Sequence, residues 1–106
     1  MAEYIDVYIS LGKERIPVTP NPCVLKLEHD GIRFRNLSAS DARVNLSEVP
    51  GFKTVSDLVV PANRTVVVAS NPAEPRTAGE SPYGVGPASV KGALRTDAGP
   101  RVILDI

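Results

Sequence analysis

Proline and glycine recur so often along this chain that little room is left for long regular elements: ten prolines and eight glycines in 106 residues. Such punctuation favours many short elements joined by turns. It weighs against a helical bundle and points to a sandwich or barrel of short strands. A chain of this length makes one domain, residues 1–106, large enough to bury one core. Aromatic residues are 5% of the chain and Trp is absent, so the core must be built mainly from Val, Leu, Ile and Ala.

Between the punctuation marks the sequence alternates. In "EYIDVYISL", Tyr4, Asp6 and Tyr8 take one side and Ile5, Val7 and Ile9 the other, the period-two signature of a strand with one face buried. "GKER" reads as a turn. "IPVTPNP" carries three prolines, which have no N–H to give a ladder, so it reads as an edge or a connection. "CVLKLEHDGIRFRNL" reads as two strands meeting at a tight "HDG" turn, with Cys23, Leu25 and Leu27 on an apolar face. "SASDA" is a polar loop, and "RVNLSEV" a strand with Val44 and Leu46 inward. "PGFKTVSD" is a turn with room for a short helical turn. "LVVPANRTVVVAS" gives two runs around a Pro-led turn. The continuous valines of "TVVVA" suit a strand buried on both faces or in a sandwich core. Residues 71 to 81 read as loop, "PYGVG" as a short strand, and Ser89 to Arg95 as one helical turn or one poor strand. "RVILDI" closes the chain as an apolar strand. Seven or eight short strands of this spacing predict an all-β, antiparallel Greek-key β-sandwich.

In their order these segments resemble cupredoxins. "VTPNPCVLKLEHDGIRFRNLS" is similar to the early strands of that family: a proline-preceded strand, an acidic-Gly turn and an alternating strand ending in Asn36. "VPANRTVVV" resembles the turn and strand after the family's first ligand region. "PYGVG" resembles the strand before its ligand loop, and "RVILDI" its terminal strand. The resemblance spans most of residues 16 to 106 and implies a cupredoxin-like sandwich; an immunoglobulin-like sandwich shares the same pattern. It also implies copper, which needs two imidazoles and a thiolate. Where the family would place a histidine after Asn36, this chain has Ala42 and Arg43. Gly84 to Ala98 holds no Cys, His or Met. A cupredoxin-like fold in this chain is therefore expected to lack copper, any other cofactor and electron transfer.

Other chemistries lack their residues too. The single cysteine, Cys23, forms no internal disulfide and reads as a small buried hydrophobe. A zinc site would have to combine His29, the only histidine, with Glu28, Asp30 and a remote ligand. No "GxSxG" or phosphate-cradling glycine motif is present, and Cys23 and His29 lie roughly 20 Å apart in an extended chain. The expectation is no enzyme. Twelve basic residues balance twelve acidic ones, which argues against nucleic acid as partner. No segment approaches the ~20 apolar residues of a membrane span. "MAEYIDVYIS" has no basic region before an apolar run, so a cytoplasmic location is the default expectation.

What remains is recognition by loops or a strand edge, with a protein partner or a second copy of the chain. Phe52 and Tyr83 sit beside turns and are candidate contact anchors, set against a role plugging and packing the sandwich. Tyr4 and Tyr8 lie on the polar side of "EYIDVYISL", taken as the edge most open to a partner. Arg33, Arg35 and Arg43 form the nearest approach to a basic patch, set against a solvated strand face. The expected function is a non-catalytic binding or assembly module. A metal-binding protein using His29, or a small ligand-binding domain, is the alternative.

Overall fold

The computed structural model describes residues 2–12 and 16–106. These residues form ten short strands and no helix. The opening alternation does what period two requires: in β1 (Tyr4–Ile9), Val7 and Ile9 are buried, and Ile5 packs against the core. β2 (Val18–Thr19) and β3 (Cys23–Lys26) follow, separated by Pro20-Asn21-Pro22, where both X–Pro peptide bonds are cis. β4 (Gly31–Asn36) buries Ile32, Phe34 and Asn36 and turns Arg33 and Arg35 outward. Then come β5 (Ala42–Asn45), β6 (Leu58–Val60), β7 (Thr65–Ala69), β8 (Gly79–Pro82), β9 (Gly84–Pro87) and β10 (Arg101–Asp105).

These strands form three sheets, in the orders β2-β1-β4-β7, β3-β10-β8 and β6-β5-β9. The second and third are joined by one run of chain that changes sheet at Tyr83, whose N–H donates to the Pro100 carbonyl at 3.0 Å. The buried apolar side chains of all three sheets meet in one cluster. Phe34 of the first sheet meets Tyr83 at its centre, with ring centroids 6.5 Å apart and planes tilted by 55°. Each fully buried Val, Leu, Ile or Phe contributes roughly 1.5–3 kcal/mol, so burial is the main stabilising term in a chain without disulfides. The all-β architecture is compatible with a sandwich.

Several expectations are corrected by the structure. Pairing is mixed rather than purely antiparallel, because β1 runs parallel to β4 and β3 parallel to β10. The "HDG" segment is no hairpin turn: β3 and β4 belong to different sheets, and the chain between them crosses from one to the other. Leu27 leaves the apolar face it was assigned to and is 74% exposed, because the strand ends at Lys26. "TVVVA" is not buried on both faces but forms β7, an edge strand. Neither Phe52's segment nor Ser89 to Arg95 forms a helical turn. The former is a chain of short turns, with Val49, Phe52 and Val55 each donating to a carbonyl three residues back. Of the expected "GKER" turn, residues 13–15 lie outside the described residues.

Candidate functional site

β1, β4 and β7 turn their second face to solvent, and their register lays its side chains out in rows. One row is Asp6, Arg33 and Val67; the next is Tyr8, Arg35 and Thr65, with Thr19 of β2 beside Tyr8. Tyr4 lies in the row of Gly31 and Ala69. Sequence alternation therefore brings together Tyr4, Tyr8, Arg33 and Arg35, four of the expected contact residues, on one face. Tyr8 is 39% and Val67 48% exposed.

Asp6 organises the charges of this face. Arg33 Nε–H and Nη2–H donate to its two carboxylate oxygens at 2.6 and 3.1 Å, a bidentate pair. Arg35 Nε–H adds a third bond to Oδ1 at 3.1 Å. The Arg33 hydrogen bond, helped by Arg35 and opposed by partial burial, holds the Asp6 carboxyl below its ordinary range. Two guanidiniums on one carboxylate leave the face with one net positive charge. Among the described residues, Arg35 gives the protein only its Nε–H, so its terminal nitrogens face solvent.

The edge of this sheet lies elsewhere than expected. β1 is an interior strand, flanked by β2 and β4, so Tyr4 and Tyr8 mark a face and not an edge. The long free edge belongs to β7. Asn36 N–H donates to the Arg64 carbonyl at 2.9 Å and Ser70 N–H to the Asp30 carbonyl at 2.8 Å, so residues 64, 66, 68 and 70 face β4. By the alternation of a strand, Thr65, Val67 and Ala69 point N–H and C=O the other way. No strand among the described residues pairs with them there, and all three are exposed.

The other edge strands are blunted. β2 has two residues between Pro17 and Pro20, and β3 follows Pro22. β6 has three residues and stops at Pro61, β8 ends on Pro82, and β9 contains Gly84, Gly86 and Pro87. Short length, Pro and Gly are how sheets keep edges from pairing. β7 has none of these and no charge: five residues, Thr-Val-Val-Val-Ala. Sequence reasoning missed it because its valine run looks like a core strand, and a strand's neighbours are set by partners distant in sequence.

Three expected contact residues are not available to a partner. Phe52 and Tyr83 are 1% and 0% exposed and belong to the core. Arg43, whose side chain is 12% exposed, donates from Nε to Asp57 at 2.7 Å and from its terminal nitrogens to the Val90 and Gly92 carbonyls at 2.5 and 2.8 Å. It clamps the 88–92 segment onto β5 and offers no basic patch.

His29 is likewise engaged within the fold. Its Nδ1 accepts the Lys26 N–H at 2.9 Å, and its carbonyl accepts Arg76 at 2.5 Å. Asp30 exchanges bonds with Glu3, accepting its N–H at Oδ2 (2.8 Å) and donating N–H to its carbonyl (2.6 Å). Among the described residues, no three His, Cys, Asp or Glu side chains converge. At the position expected for a copper ligand, Ala42 is fully buried in β5. Asn36 is buried with both ends used: Nδ2 donates to the Ser40 and Val60 carbonyls, and Oδ1 accepts the Ser38 N–H.

A depression of about 620 Å³ lies between Leu11, Ser40, Asp41, Ala88 and Ser89. One Asp41 carboxylate oxygen is occupied by the Ala62 N–H at 2.9 Å. Among the described residues no helix is long and apolar enough to cross a membrane. No protein-family model, curated protein or solved structure matches this chain.

Proposed function

We propose that this chain is a non-catalytic binding or assembly module on a cupredoxin-like β-sandwich, and that its docking element is the β7 edge. The fold reading is supported by counting runs of chain rather than paired segments. β2 and β3 are one run broken by prolines, and β8 and β9 one run that changes sheet at Tyr83. Eight runs result, within the seven to eight read from the sequence. The absence of copper chemistry is supported by Ala42 in the core and Arg43 in its clamp.

A single observation carries the functional reading: among the described residues the outward N–H and C=O groups of Thr65, Val67 and Ala69 have no strand beside them, in a segment without Pro, Gly or charge. Such an edge templates an added strand, whose main-chain bonds supply affinity. The neighbouring Val67, Arg33 and Arg35 then contact that strand's side chains. Net charge of zero makes a protein strand a better occupant than nucleic acid.

Residue-resolved amide exchange tests this reading. In dilute protein the amides of Thr65, Val67 and Ala69 exchange fast while those of Val66 and Val68 are protected by β4. Raising the concentration, or adding a peptide copying residues 63–72, is expected to slow the three fast amides. Fast exchange under both conditions refutes docking at this edge.

A further inference from the structure

We infer that the strand completing the β7 edge is β7 of a second copy, running antiparallel about a two-fold axis at Val67. The inference rests on the reading of β7 as the docking edge and names its occupant. Outward-facing residues sit at the first, third and fifth positions of a five-residue strand, so their pattern is symmetric about Val67. A second copy turned about that point presents the same pattern. Val67 then lies opposite Val67, and Thr65 opposite Ala69, each as a hydrogen-bonded pair exchanging both N–H···O bonds. Across the join this makes about six backbone hydrogen bonds. The two four-stranded sheets become one of eight.

Side chains agree with this register. Opposed residues on the solvent face are Val with Val and Thr with Ala, and β-branched pairs of this kind stabilise a sheet. Just outside, Arg64 falls opposite Ser70, so no like charges meet. Beyond that, Asn71 gives its N–H to the Gly51 carbonyl and Asn63 turns away to the Ser38 carbonyl, so the join is confined to the five residues of β7. The Arg33 side chains of the two copies are three strand spacings apart, about 14 Å, and each copy's Asp6 offsets one of the two arginines it binds, leaving one positive charge per face. At that separation, salt screens what repulsion is left. The zero net charge of the chain puts no long-range barrier between copies. An isologous contact of this kind closes as a dimer and does not propagate.

The geometry also supplies a clean block. The Val67 N–H is not part of the β4 ladder, so Val67→Pro removes only the bond offered to the partner, at the edge position where Pro is tolerated. Light scattering on the eluted full chain is expected to show a dimer. Val67→Pro should raise its dissociation constant by more than about tenfold with an unchanged circular dichroism spectrum. Val67→Lys, which sets two ammonium groups across the axis, should weaken it as well, without any backbone change.

Cross-linking fixes the register. Val67→Cys brings two Cα atoms to about 5.5 Å and should oxidise to a covalent dimer, while buried Cys23 stays silent. Thr65→Cys alone should not, because the two copies of that residue are four positions apart along the join, about 13 Å. Mixed with Ala69→Cys it should. Self-linking of Thr65→Cys, or a Val67→Pro protein that remains dimeric, overturns the proposal. A monomer whose edge amides are nevertheless protected by the peptide overturns the second copy and leaves the docking edge standing. A monomer with unprotected edge amides removes both.

Discussion

Gly31 lies so close to the Val68 carbonyl oxygen that a Cβ at that position would overlap it, and would come within 2.8 Å of the Ala69 Cα. Gly31 is not among the glycines with positive φ, so its role is close approach of two backbones and not turn geometry. That approach is where β4 begins to pair with β7. Gly31→Ala is expected to cost more than ~2 kcal/mol of stability, measured by urea denaturation, since the neighbour that must yield is backbone. An unchanged denaturation midpoint would contradict the packing described.

Among the described residues Tyr83 is the largest fully buried side chain, and its hydroxyl has no hydrogen-bond partner. A buried polar group without a partner opposes folding. Tyr83→Phe keeps the ring against Phe34 and removes only that hydroxyl, so stability should rise by about 1 kcal/mol. Tyr83→Ala, which empties the centre of the core, should lose about 3–5 kcal/mol. A destabilised Tyr83→Phe protein would show that the hydroxyl has a partner.

Burial pushes the Cys23 thiol up from 9.0 to about 11. Below pH 9 both folded and unfolded chains keep the proton, and stability is flat. Above it the unfolded chain releases a proton that the native state retains, so stability falls as pH rises from 9 to about 11. The loss from this group is roughly 2–3 kcal/mol. Burial raises the Tyr83 hydroxyl further, adding to the decline above pH 10. Denaturation at successive alkaline pH values should show a shallower fall in Cys23→Ala; an identical slope would exclude the thiol as its source.

Arg43 holds the 88–92 segment through two backbone carbonyls while paired with Asp57. Arg43→Ala leaves those acceptors without donors and should cost about 2 kcal/mol, with faster proteolysis between residues 88 and 96. Arg43→Lys should rescue little, because one ammonium cannot reproduce the fork that reaches Asp57 and both carbonyls. Full rescue by Lys would mean that charge alone matters at this position.

Much of the fold was legible in local pattern. The alternation of Tyr4 to Ile9 and of Ile32 to Asn36 named the faces of β1 and β4 correctly, because successive side chains of a strand must point to opposite sides. The burial of Cys23, Val44 and Leu46 followed for the same reason. Less of the site was legible. Tyr4, Tyr8, Arg33 and Arg35 were placed on a polar face, but nothing local said that Asp6 would bind both arginines, since that depends on the parallel register of β1 on β4. Arg43 read like its neighbours Arg33 and Arg35, yet the 88–92 segment folds over it.

By itself, then, the sequence determined most of the short strands, the faces that β1 and β4 bury and the want of copper ligands, but not β8, which begins at Gly79 inside the segment read as loop. Those properties depend on side-chain chemistry and on neighbours a few residues away. Only the tertiary structure decided that "HDG" joins two sheets, that two strand pairs run parallel, and that "TVVVA" ends a sheet. A run of valines packs equally well at the centre of a sheet or at its margin. Which one it takes is settled by the distant strands that compete for its two edges, and β4 occupies only one of them.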